Sequence, residues 1–208
     1  DYKDRLTGNT NFIPTFQSPE SLHPVTSYAT DDFFGCIDDN EGGFSTDIMD
    51  IGVGRLVVAT PEEARMAVDK IIHYATAAES VHGDWRNMIA FVADDGDGNE
   101  HMRQADQIAT MIDTTYRNYN IDKIFLDAYP QISTPGGQRA PDATAAINQR
   151  MGKGALIVNY TGHGGETGWT HERILEISDI NSWTNYDRLP VFMTATCEFS
   201  RYDDPLRR

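Results

Sequence analysis

Two side chains stand out by type and setting. His163 sits in Asn159-Tyr160-Thr161-Gly162-His163-Gly164-Gly165-Glu166-Thr167, with glycine on both sides, and Cys197 sits in Thr194-Ala195-Thr196-Cys197-Glu198. A thiolate is a strong nucleophile, and a neighbouring imidazole can form it by taking the thiol proton and later protonate a leaving amine. The oxyanion formed on the way needs two preorganised donors, for which the backbone amides near Gly164 and of Cys197 are natural candidates. Singly, each residue has a plainer reading. A cysteine after a strand is most often a small buried hydrophobe, and a histidine in a glycine loop is more often structural than catalytic. The pair, placed together, favours catalysis.

A third segment, Asp94-Asp95-Gly96-Asp97-Gly98-Asn99-Glu100-His101, carries four readings. A carboxylate here could orient His163. The segment could be a solvated turn that caps the next helix. Acidic side chains alternating with glycine also suit calcium, although the spacing does not complete an EF-hand. The acidic pocket of a phosphoacceptor receiver domain ranks last, because it leaves the Gly-His-Gly-Gly loop unexplained. The Cys-His chemistry itself requires no cofactor.

These segments need elements to hold them. Gly54 to Ala59 is a short apolar run, read as a buried strand. Thr60-Pro61-Glu62-Glu63 is a helix start with a capping box, followed by Ala64, Ala67, Val68, Ile71, Ile72 and Ala75 at helical spacing. Strands are expected at Met88–Ala93, Lys123–Asp127, Ala155–Tyr160 and Pro190–Ala195. Helices are expected at His101–Tyr119, Asp142–Met151 and residues 171 to 182. Alternating strands and helices imply an α/β fold, a mostly parallel sheet with helices on both faces. Ligands on such sheets bind at the carboxyl ends of the strands. The loops after Ala93, Tyr160 and Ala195 hold the three segments above. Residues 1–50 read as a loop-rich part with one short strand around Tyr28, and residues 51–208 as the core of one domain.

Bulk properties narrow the classes. With 32 acidic against 17 basic residues the net charge is −15, which argues against a nucleic-acid partner. Two cysteines, Cys36 and Cys197, make no disulfide framework. The 208 residues suit one domain with a real core. The chain starts at Asp1 without an initiator Met and reads as an excised segment.

The motifs around His163 and Cys197 resemble those of the gingipain-type cysteine peptidases, whose fold is caspase-like. Asn159 to Gly164 with Glu166, Thr167 and Trp169 matches their catalytic-His segment, and Thr194 to Cys197 their catalytic-Cys segment. Ile51-Gly52-Val53-Gly54-Arg55 and Ile72-His73-Tyr74 resemble segments further upstream. The resemblance implies His163 as base, Cys197 as nucleophile, Asp95 as the acidic partner of the histidine, and Glu166 and Trp169 at the substrate. It places His101 where relatives that cut after Arg carry an Asp, so it implies a different specificity.

Asn11 to Thr15 and Thr30 to Gly35 point, within the family, to the sortases of the type IX secretion system. That branch implies protein substrates with a C-terminal sorting domain and an anionic lipopolysaccharide as acceptor. It also implies other secretion components as partners and the outer-membrane surface of a Gram-negative bacterium as location. The alternatives are a secreted protease of other specificity and a non-catalytic calcium-binding module of the same fold. The family's domain is expected to extend beyond both ends of this chain.

Overall fold

The computed structural model describes residues 13–17, 29–42, 47–200 and 202. The chain divides into two compact units, residues 1–64 with 200–208, and residues 65–199.

In the first unit, β1 (Phe16–Gln17) pairs antiparallel with β2 (Ala29–Thr30). Tyr28, where a strand is expected, lies outside the described residues, as do Asn11 and Phe12. Two side chains tie this unit together. The Arg55 guanidinium donates to both Asp31 carboxylate oxygens, at 2.7 and 2.6 Å, and to the Pro14 carbonyl at 2.6 Å. It also lies over the Tyr202 ring, 5.1 Å from its centroid. The hydrogen bond from Arg55 holds the Asp31 carboxyl below its usual range, against the opposing effect of burial. The expected strand Gly54–Ala59 does not form. Its apolar residues Leu56, Val57 and Val58 are exposed. An apolar run becomes a strand only against a hydrogen-bonding neighbour, and none is present among the described residues.

Helix α1 (Pro61–Thr76) starts as its sequence predicts. The Thr60 hydroxyl accepts from the Glu63 amide at 3.2 Å, and the Glu63 carboxylate reaches back to the Ala59 amide at 2.6 Å. Its apolar stripe nonetheless stays exposed, with Val68, Ile71 and Ile72 each about half accessible.

The second unit holds the rest: α2 (Ala78–Val81), β3 (Met88–Ala93), α3 (Gly96–Thr115), β4 (Asn120–Phe125), a hairpin of β5 (Ile132–Thr134) and β6 (Gly137–Arg139), α4 (Pro141–Lys153), β7 (Ile157–Thr161), β8 (Gly164–Gly165), β9 (Gly168–Trp169), β10 (Leu175–Glu176), α5 (Ile177–Ser182) and β11 (Val191–Ala195). Strands β11, β7, β3 and β4 form one parallel sheet in that order. One face packs Ala90, Val92, Val158 and Tyr160 against Ala143, Ile147 and Met151 of α4. The other packs Ile89, Phe91 and Ala93 against Met102, Ala105 and Ala109 of α3. Helices thus cover both faces, as strands buried on both sides require.

Strand β11 pairs only with β7 among the described residues, and Val191, Phe192 and Met193 are exposed. The helix expected over residues 171 to 182 is confined to α5. The preceding residues turn through left-handed positions at Thr170 (φ 59°) and Arg173 (φ 54°) and enter β10. L-residues avoid that region inside helices.

Candidate active site

Sheet register decides where the two reactive residues meet. Ala195 is the partner of Thr161 in the β11–β7 pair. His163 and Cys197 each lie two residues further along, so the parallel strands deliver both to the same edge. The Gly162 amide donates to the Ala195 carbonyl at 3.2 Å, carrying the pairing one residue beyond the strands. Gly164 then approaches Thr196 so closely that a Cβ would come within 2.3 Å of the Thr196 hydroxyl. Only glycine fits there, which accounts for one of the two glycines flanking the histidine. The other, Gly162, faces Asp94 and Tyr160; a Cβ on it would meet Asp94 Cβ at 2.4 Å.

The backbone of His163 is held from both sides. Its amide donates to Asp94 Oδ2 at 3.0 Å. Its carbonyl accepts from the Thr170 amide at 2.9 Å and from the Tyr160 hydroxyl. Asp94 is itself fixed, accepting from the Gly96 amide at 3.0 Å. Tyr160 stacks on Trp169, with centroids 4.1 Å apart and planes 5° from parallel. Burial, with the Asp94 charge adding to it, pushes the Tyr160 phenol far up, so it acts only as a neutral donor. The ring of His163 remains accessible, its side chain 41% exposed. Cys197 is exposed too, and its amide donates to no acceptor among the described residues. That leaves the amide available as an oxyanion donor. The residue after it, Glu198, is left-handed at φ 52°, a strained position of the kind that clusters at functional sites.

The carboxylate beside the His163 ring is Asp97. Its Oδ2 lies 2.9 Å from His163 Nε2 and 3.3 Å from His101 Nε2. It gets there because Asp97, Gly98 and Asn99 are all left-handed, with φ of 52°, 63° and 67°, a tight reversal before the regular part of α3. Asp95, which the resemblance assigns to the histidine, instead accepts from Gln131 at 2.7 Å. Burial, together with the charges of Glu172 and Asp94, raises its pKa.

His101 packs edge-on to His163, centroids 5.1 Å apart, and His171 lies 5.6 Å away on another side. Trp169, expected at the substrate, is fully buried and supports the loop from below. Glu166 is partly buried in the same loop. A cavity of about 170 Å³ opens beside His163, walled by Gly164, Gly165, Thr167, His171, Arg173 and Glu176 among others. Cys197 does not line it. Asp97 and His171 are the residues that sequence reasoning missed. The Asp-Gly-Asn triplet was the available signal for the first, since these residue types tolerate left-handed turns.

The parallel α/β sheet carries a Cys and a His beyond the ends of neighbouring strands, an arrangement that Cys-His chemistry would use. The chain belongs to peptidase family C25, whose model matches residues 1–208. Its fold is gingipain-like. The Arg-specific cysteine proteinase gingipain R (RgpB) is similar at a TM-score of 0.60 and 23% identity, over 81% of this chain and 36% of that one. The complex of the Porphyromonas gingivalis RgpB pro- and mature domains is similar at a TM-score of 0.60 and 22% identity, over 82% and 37%. The chain thus spans little more than a third of either chain's length. No curated protein matches it.

Proposed function

We propose that this chain carries the catalytic centre of a cysteine endopeptidase of the sortase type. Cys197 Sγ attacks a peptide carbonyl as His163 takes the thiol proton. His163 then returns that proton to the departing amine, leaving a thioester on Cys197. Water or an amine attacks the thioester, releasing an acid or a new amide and restoring the thiol. The carrying observation is the Ala195–Thr161 register, which brings two reactive side chains from distant sequence to one sheet edge. Family membership supports the same chemistry.

The narrower reading is a PorU-type sortase of the type IX secretion system at a Gram-negative cell surface. It would cut the C-terminal signal domain from secreted cargo and couple the new carboxyl end to an anionic lipopolysaccharide amine. Its support is the resemblance of the segments Asn11–Thr15 and Thr30–Gly35, and the presence of His101 where an acidic residue would pair with a substrate Arg. The test is incubation with a cargo protein bearing a C-terminal sorting domain, with and without a small amine. Cleavage that Cys197→Ala abolishes, with amine incorporated at the new end, supports the sortase. Cleavage without incorporation leaves a peptidase only. No cleavage and no covalent labelling of Cys197 refutes the enzyme.

A further inference from the structure

The carboxylate beside His163 serves a second ring that the peptidase chemistry does not use. Asp97 Oδ2 lies 2.9 Å from His163 Nε2 and 3.3 Å from His101 Nε2. The two imidazoles meet edge to face, with centroids 5.1 Å apart and planes at 90°. One ring nitrogen of each histidine and an Asp97 oxygen all lie within 4.8 Å of one another. His101 Nε2 is the informative atom. It is enclosed by protein and makes no hydrogen bond among the described residues, the Asp97 oxygen being near it but outside hydrogen-bond geometry. A ring nitrogen in that state has lost its water and gained nothing in exchange, so it points to a missing ligand.

The spacing and the donor types suit one class of ligand. Around a tetrahedral zinc with bonds of about 2.0–2.2 Å, neighbouring donors stand roughly 3.3 Å apart. The two distances from Asp97 Oδ2 are close to that value. Two imidazole nitrogens and one carboxylate oxygen favour zinc over magnesium or calcium, which prefer oxygen alone. The side chains of His163 and Asp97 are 41% and 60% exposed, so an ion can enter from solvent and keep its fourth position open to water.

We propose that Asp97, His101 and His163 bind Zn2+, and that the bound ion silences His163 as a base. The left-handed run Asp97-Gly98-Asn99 brings the Asp97 carboxylate back between the two rings, and His101 supplies the third donor. A metal-bound imidazole is neutral and carries its proton on the other nitrogen, so it has no lone pair left for the Cys197 thiol proton. The same carboxylate thus orients His163 when the metal is absent and helps to hold the metal when it is present. The silencing rests on the Cys-His reading of this chain; the metal site itself does not, since a catalytically inert domain with these three side chains would bind zinc equally well.

The test is calorimetric titration of the EDTA-stripped chain with ZnCl2, and separately with MgCl2. Saturable zinc binding is expected, weakened by about tenfold or more in His101→Gln and again in Asp97→Asn. His73→Gln should leave it unchanged, since His73 belongs to a different contact, with Asp187. No saturable zinc binding, zinc binding that neither His101→Gln nor Asp97→Asn weakens, or magnesium binding as tight as zinc overturns the site. Iodoacetamide labelling of Cys197 separates the site from the peptidase reading. Zinc should slow it in the unaltered protein, a chelator should restore it, and His101→Gln should be insensitive at the same zinc concentration. Labelling that bound zinc leaves unchanged overturns the silencing. Labelling of Cys197 no faster than that of Cys36 before zinc is added, in protein that still binds zinc, sinks the peptidase reading and leaves the metal site standing.

Discussion

His163 Nε2 lies 2.9 Å from Asp97 Oδ2, while the Asp95 carboxylate is engaged by Gln131. A carboxylate on one imidazole nitrogen fixes the tautomer and stabilises the imidazolium that forms when the other nitrogen takes a proton. Asp97→Asn keeps the shape and removes the charge. It should slow alkylation of Cys197 by iodoacetamide, and turnover of any cleaved peptide, by roughly tenfold or more. Asp95→Asn should change either rate by less than Asp97→Asn does. Equal effects, or a larger one from Asp95→Asn, would return the orienting role to Asp95.

The two cysteines provide an internal control. The Cys36 thiol is pushed up by burial and then by the charges of Glu41, Asp47, Asp50 and Asp32, and it points at the Asp32 carbonyl, 3.6 Å away. Thiolate is the reactive form, so Cys36 should alkylate more slowly than a free thiol. Cys197, exposed at the sheet edge beside the histidine loop, should react faster than Cys36 near neutral pH, and His163→Ala should remove most of the difference. Mass spectrometry of the two cysteine peptides over time measures both rates. Equal rates in the unaltered protein would remove the support for an activated Cys197.

Much of the frame was legible because its signals are local. Met88–Ala93 and Val191–Ala195 are apolar runs rich in strand-forming residues, and both are strands. Pro141 and the apolar spacing behind it mark α4 to within two residues of its observed ends. Less legible were the pieces that depend on partners. Strands β8, β9 and β10 are two residues each and exist through pairing with one another. No periodicity can announce a strand that short. The Gly54–Ala59 run has the right residue types and lacks a neighbour. Within the site, the two loops were visible as motifs. The choice between Asp95 and Asp97 rests on three consecutive left-handed residues, a backbone path that a string of Asp, Gly and Asn permits without dictating.

Gly164 tests the closeness of the two loops directly. An alanine Cβ there would lie 2.3 Å from the Thr196 hydroxyl and 3.2 Å from its methyl. Thr196 precedes Cys197, so any relief moves the nucleophile. Overpacking of this kind costs about 1–3 kcal/mol. Gly164→Ala should therefore still fold, with a lower melting temperature, and should lose more activity than stability. A double variant with Thr196→Ala removes both the hydroxyl and the methyl and should recover part of the loss. Full activity in Gly164→Ala alone would mean that the loops stand further apart.

The Asp31–Arg55 pair should anchor its own unit. Both side chains are largely buried, 12% and 16% exposed, and the contact is bidentate. Removing one partner strands the other, at a cost of roughly 1–3 kcal/mol for a pair between the surface and buried extremes. The folded pKa of Asp31 is depressed, so its stabilisation is present above the unfolded value of 3.8 and is lost as pH falls through the lower folded value. Asp31→Asn should raise amide exchange in the segments around β1 and β2 at neutral pH. It should also flatten the acid-induced loss of protection there. Unchanged exchange near Pro14 and Arg55 would show that the pair contributes nothing.

Asp95 should show the opposite sign. Burial and then the Glu172 charge raise its folded pKa above 3.8. In the window from 3.8 up to that raised value the folded state holds more protons than the unfolded chain. Stability therefore falls as pH rises through the window, and the full penalty persists above it. Asp95→Asn removes the charge and keeps an amide able to pair with Gln131. Its urea midpoint at neutral pH should exceed that of the unaltered protein, and the two should converge as pH drops toward 3.8. A variant midpoint below the unaltered protein's at neutral pH would show that the Asp95 charge is already compensated within the fold.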